Sequence, residues 1–72
     1  MKEFILDGEY IELVRLIKLL GYAETGGQAK LMIDQGEVLL NGQPELRKRA
    51  KLRDGDVVNI YGRKVSISSP GK

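Results

Sequence analysis

The sequence predicts an α+β fold in which two packed N-terminal helices lie against a small, mostly antiparallel sheet. Three observations predict it. The apolar residues keep a helical spacing from Ile11 to Gly36 and change to a period of two after it, and the hairpin dipeptide Asn41-Gly42 follows directly on that change. The third observation is size: 72 residues, 42% of them hydrophobic and 31% charged, make one small folded domain. Without cysteine or histidine the chain has no disulfide framework, no thiol nucleophile, no imidazole base and no usual zinc ligands.

The elements follow in order. Phe4-Ile5-Leu6 before Asp7-Gly8 predicts a short strand closed by a turn. From Ile11 to Leu20 the polar residues Glu12, Arg15 and Lys18 recur at every third position, so they form one narrow stripe of a helix. The rest of that helix is apolar and is expected to be covered on more than one side, with Gly21 as its stop. Thr25 and Gln28 have the spacing of a capping box in which each satisfies the other's amide. They open a second helix of about three turns that ends at Gly36. Residues 37–40 form a strand, Asn41-Gly42 turns it, and a return strand is expected from Leu46 to Leu52, beyond Pro44. That strand places Arg47, Arg49 and Lys51 on one face. Asp54-Gly55 turns, residues 57–61 form a strand, Gly62-Arg63 turns, and a strand through Val65 and Ile67 closes the domain at residue 69, with 70–72 a tail.

Charge is divided unequally. The chain carries +2 from 12 basic and 10 acidic residues, but residues 1–36 hold four basic against six acidic and residues 37–72 hold eight against four. Five cations fall within Arg47 to Arg53 without one carboxylate, a run that repels itself unless an anion arrives. On a strand, alternate residues stand ~6.6–7 Å apart, close to the spacing of successive phosphates. Thr25, Gly26, Gly27 and Gln28 also open a helix whose free amides favour an anion. A solvated strand and a plain helix cap are the ordinary explanations of the same residues. Arg15, Lys18 and Lys30 have as their ordinary explanation solubility and pairing with Glu12 or Asp34. Tyr10, Tyr22 and Tyr61 are read as core or edge packing, and Asp54 with Asp56 as a turn rather than a metal site.

These residues resemble a known family. Thr25-Gly26-Gly27-Gln28-Ala29-Lys30, Gly36-Glu37-Val38-Leu39-Leu40-Asn41-Gly42 and Gly55-Asp56-Val57-Val58 match, in order, the capped helix, the hairpin and the closing strand of the S-four-type RNA-binding domain, the alpha-L motif. The resemblance covers about residues 11–61. With Gly26 to Lys30 and Arg47-Lys48-Arg49 as they stand, it is most similar to the small stand-alone bacterial members of the YbcJ and YaaA type. Many members have an arginine after the cap residue; Gly26 stands there instead, so that contact is not carried over.

The resemblance implies an alpha-L fold and a bacterial, cytoplasmic, ribosome-associated protein that binds structured RNA, ribosomal RNA first, in ribosome assembly or translation. It places Lys30 on the RNA-facing side, with Arg15 and Lys18 extending that surface and Thr25, Gly26, Gly27, Gln28, Arg47, Lys48, Arg49, Lys51 and Arg53 completing it. A monomer is expected, without cofactor, metal, membrane or small-molecule partner, and without catalysis, since no acid–base or nucleophilic set can be assembled. The residues alone also admit a protein-interaction module that turns its basic strand to an acidic protein.

Overall fold

The computed structural model describes residues 2–70. A five-stranded sheet in the order β1-β7-β6-β3-β4 joins β1 (Lys2–Ile5), β7 (Arg63–Ser68), β6 (Val57–Ile60), β3 (Val38–Leu40) and β4 (Gln43–Pro44). The β1–β7 pair is parallel, with Phe4 opposite Ile67, and the other three pairs are antiparallel. A two-stranded antiparallel sheet pairs β2 (Ile11–Glu12) with β5 (Lys51–Leu52).

One face of β3, β6 and β7 is buried, whereas both residues of the outer strand β4 are exposed. Val38, Val58, Ile60, Val65 and Ile67 alternate inward, and the helices α1 (Leu13–Leu19) and α2 (Gly26–Asp34) close over them. Helix α1 contributes Leu13, Leu16 and Ile17, and α2 contributes Ala29 and Ile33, at the spacing of one helical face. Leu6 and Leu52 fill the ends of the core. The expected cover of α1 on more than one side extends to Val14 and Leu20, half-buried against the core, but not to Leu19, which falls on the stripe of Arg15 and Lys18 and is 57% exposed.

Helix α1 starts at Leu13 because Ile11 and Glu12 are strand-paired to Leu52 and Lys51. Its first amides are capped by another segment, since Leu13 N donates to Ala50 O (2.9 Å) and Val14 N to Lys48 O (3.0 Å). At α2, Thr25 Oγ1 accepts from Gln28 N (3.1 Å) as expected, but Gln28 Oε1 accepts from Glu24 N (2.7 Å), one residue outside the predicted box.

The second half corrects the sequence reading in two places. The chain returns directly from Asn41-Gly42 as β4, an outer strand on which Pro44 is tolerated, and Glu45 N still bonds Val38 O (3.0 Å). Residues 46–50 then form a turn, closed by Ala50 N on Arg47 O (3.2 Å), and only Lys51-Leu52 is a strand. The expected cationic strand from 46 to 52 is a docked loop, so the strand spacing of its charges does not hold. The β6–β7 hairpin turns at Tyr61-Gly62, one residue before the expected Gly62-Arg63, and the expected strand through Val65 and Ile67 is β7, running from 63 to 68. Of the expected tail, Gly71 and Lys72 lie outside the described residues.

Candidate nucleic-acid interface

Two regions carry the predicted cations. The first is the loop, fixed on α1 by the two backbone bonds to its N-terminal amides. Its side chains are distributed among one neighbour, Glu45, and partners remote in sequence. Arg49 Nε donates to Glu12 Oε2 (3.2 Å), Lys48 Nζ pairs with Asp34 at the end of α2, and Arg47 grips Glu45 through Nε (3.0 Å) and Nη2 (3.2 Å). Lys51 Nζ lies 4.9 Å and Arg53 Cζ 5.3 Å from the centre of the Tyr10 ring, within cation–π reach. The charge run that has no carboxylate in sequence thus has three in space. The Arg47 side-chain hydrogen bonds hold the Glu45 carboxyl below the usual carboxylate range, against a smaller opposing effect of burial.

The second region is a shallow groove between the helices, lined by Glu12, Arg15, Lys18, Leu19, Gly26 and Lys30. It joins the exposed stripe of α1 to the first turn of α2. Glu12 forms its boundary with the loop through Arg49. The expected pairing of the helix cations with Glu12 or Asp34 does not occur, because those carboxylates are turned to Arg49 and Lys48. Arg15, Lys18 and Lys30 make no ion pair among the described residues.

The first turn of α2 is open. A Cβ at Gly26 would meet nothing within 4 Å, and at Gly27 only Thr25 Oγ1 at 3.9 Å, so neither glycine is required by the fold's own packing. Gln28 does not join the groove. It lies on the other flank of α2 with Tyr22, Met32, Tyr61 and Arg63. The predicted set therefore divides: Arg15, Lys18, Gly26 and Lys30 come together, Arg47, Arg49 and Lys51 line a neighbouring hollow, and Gln28 faces away from both.

Sequence reasoning missed Tyr10 as the seat of two cations and Glu12 with Asp34 as the anions of the loop. A separation of 37 residues between Glu12 and Arg49 leaves no local signal for that pair. Asp54 and Asp56 do serve turns: Asp54 Oδ1 accepts from Ser69 N (3.0 Å), and Asp56 accepts from Arg53 N (2.8 Å) and from Asn41 Nδ2 (3.1 Å). Among the described residues no group of three acidic side chains could hold a metal ion, and no helix is long and apolar enough to cross a membrane.

Known proteins resemble the chain in sequence and in fold. YbcJ of Escherichia coli, which carries RNA-binding in its name, is 41% identical over 58 residues, 81% of this chain and 83% of that protein. RlbA of Bacillus subtilis, which carries ribosome maturation in its name, is 42% identical over 57 residues, 79% of this chain and 80% of that one. The solution structure of E. coli YbcJ, described as revealing an alpha-L motif involved in RNA-binding, superposes with a TM-score of 0.71 at 39% identity, covering 94% of this chain and 87% of that one. The family model of the S4 domain matches residues 4–68, and the chain belongs to that family.

Proposed function

We propose that the chain is a non-enzymatic, cytoplasmic RNA-binding protein that grips structured RNA, ribosomal RNA first, through its phosphates, in ribosome assembly or translation. The observation that carries this reading is the groove of Arg15, Lys18 and Lys30, three cations with no ion pair among the described residues, set against the glycine-opened start of α2. A cation without an intramolecular partner releases a counterion for each phosphate it meets and breaks nothing to do so. The RNA-binding and ribosome-maturation designations of the relatives point the same way.

The binding mode is backbone contact. The A-form major groove is too narrow for side chains, so a folded RNA is recognised by shape, phosphates and 2′-hydroxyls. The helix groove, with Thr25, Gly26 and Gly27 keeping the start of α2 accessible beside it, takes one run of phosphates, and Arg47, Arg49 and Lys51 take another. Residues 1–69 act as a single binding unit, expected to be monomeric.

The test is crosslinking of the protein to RNA in cells, with sequencing of the bound fragments and a salt titration on the leading fragment. A ribosomal RNA helix bound with a slope of log affinity on log salt of roughly −3 to −5, as about five neutralised phosphates require, is the expected result. Background crosslinking, together with a complex that survives ribonuclease, would replace this reading with a protein-interaction module.

A further inference from the structure

The two hairpin turns of the large sheet share one backbone conformation and differ in what occupies it. In both, the first turn residue has φ 52° and the following glycine φ 85°. Asn41 is suited to this left-handed position and uses its side chain there, accepting from Val57 N (2.8 Å) and donating to Asp56. Tyr61 is a bulky residue at a φ that such residues rarely adopt. Burial does not compensate, since Tyr61 is 45% exposed.

A strained, exposed aromatic side chain calls for a use. Tyr61 lines a hollow on the flank of α2 with Tyr22, Gln28, Met32 and Arg63, and its hydroxyl donates to Gln35 Oε1. The Arg63 guanidinium lies 5.1 Å from the centre of the Tyr22 ring. No carboxylate lines the hollow. Two rings and a planar guanidinium, the latter already placed over Tyr22, offer faces to stack on, and the Gln28 amide nitrogen offers a donor, its oxygen being held by Glu24 N. That combination matches a heterocyclic base freed from its helix.

We propose that this hollow receives one unpaired nucleobase of the bound RNA, stacked on Tyr61, with Arg63 closing over it and Gln28 at its edge. The proposal rests on the RNA-binding reading above and adds a base-holding site to a phosphate-gripping surface. Gln28 stands two residues from both Gly26 and Lys30, which line the basic groove, so α2 alone separates the two sites. An RNA whose phosphates follow the groove reaches the hollow by crossing that helix.

The test uses the full chain and two RNA hairpins identical except for a single-nucleotide bulge, made with each of the four bases. Wild type should bind a bulged hairpin roughly 5- to 150-fold more tightly than the unbulged one, the range that corresponds to one base–aromatic stack. Tyr61→Asn should remove that preference and melt no lower than wild type, because asparagine suits the turn. Tyr61→Phe should keep the preference, and Arg63→Lys, which retains the charge without the plane, should reduce it. Equal binding of both hairpins by wild type, or an unchanged preference in Tyr61→Asn, overturns the base site and leaves RNA binding standing. A Tyr61→Asn chain that melts well below wild type, joined by a Tyr61→Phe chain without the preference, makes the tyrosine a structural tie to Gln35 and overturns the site as well. If neither hairpin binds, the RNA-binding reading falls and this proposal with it.

Discussion

In the loop from Leu46 to Arg53 every cation has a partner within the molecule, whereas Arg15, Lys18 and Lys30 on the helices have no ion pair among the described residues. The first region holds five cations and the second three, and they use them differently. The loop is anchored by backbone bonds to α1 and its side chains are held in place by Glu12, Asp34, Glu45 and Tyr10, so it meets a ligand already ordered. The helix cations keep their freedom and lose it only on binding. Exposed ion pairs contribute no more than about 1 kcal/mol, so a phosphate can replace Glu12 as the partner of Arg49 at little cost, whereas Glu45, 13% exposed, holds Arg47 more firmly. The comparison teaches that intramolecular pairing of a basic segment does not argue against a polyanion; it shows which cations arrive preorganised.

The largest expected effect comes from reversing the ordered region. In the double variant Arg47→Glu, Arg49→Glu the two new carboxylates face Glu45 and Glu12, and the hollow they line with Lys51 becomes anionic. RNA affinity should fall by roughly 100-fold or more at moderate salt, since each lost phosphate contact and each added repulsion acts in the same direction. The melting temperature should stay close to that of wild type, because both arginines are exposed, at 77% and 82%. A filter-binding titration beside a thermal melt checks both halves, and unchanged affinity in a folded variant would remove the loop from the interface.

A smaller effect is expected from neutralising the free cations one at a time. Each of Arg15→Gln, Lys18→Gln and Lys30→Gln should weaken binding evenly across RNA sequences and lower the salt slope by about one, the mark of a phosphate contact. The sharpening lies in the contrast. A free helix cation should contribute its full unit of slope, whereas Lys48→Gln, which also releases Asp34, should contribute less. Equal slopes for the two classes would show that internal pairing makes no difference to the energetics of binding.

The contrast between these regions also marks how far the sequence could be read. The Arg15 and Lys18 stripe of α1, the Thr25 cap and the Asn41-Gly42 turn are local patterns that survive into the fold, whereas the Glu12 end of the expected stripe is a strand residue paired to Lys51. The parallel pairing of β1 with β7 joins segments more than sixty residues apart and has no periodic signature. Alternation of cations from Arg47 to Lys51 was read as a strand because a period of two looks the same in a strand and in a turn with exposed side chains. What decides between them is Ala50 O and Lys48 O, which serve the helix start instead of a neighbouring strand. The candidate site was legible as a set of cations, but its anions were not. Glu12 and Asp34 were expected to serve their own helices, and only the three-dimensional arrangement shows them turned to Arg49 and Lys48.

Glu12 gives the next prediction, of opposite sign. It is a carboxylate in a groove that otherwise holds Arg15, Lys18 and Lys30, and phosphate brought there is repelled by it. Glu12→Gln should raise RNA affinity by roughly three- to tenfold at low salt, with the gain shrinking as salt screens the groove. The loss of its pair with exposed Arg49 should cost little stability. Affinity that falls instead would mean that Glu12 is needed to aim Arg49, and would move that arginine from a replaceable pair to a fixed one.

The smallest effect belongs to Glu45 and concerns pH. The folded chain holds this carboxyl below its ordinary range through the Arg47 side chain, so the folded state keeps the negative charge to lower pH than the unfolded state does. The stability that results is present above the unfolded carboxylate pKa and is lost as pH falls through the folded value. Replacing Glu45 by Gln removes this linkage without removing the arginine. Wild type should therefore melt slightly above Glu45→Gln at neutral pH, and the two curves should converge as the solution becomes acidic. The gap should be small, because water screens Arg47 at 77% exposure. RNA affinity checks the same pair from the other side: where acid protonates Glu45, Arg47 is released, and wild type should approach the affinity of Glu45→Gln. A gap in melting temperature that stays constant across the acidic range would show that Glu45 acts through its packing rather than its charge, and that Arg47 is as free as the cations of the helices.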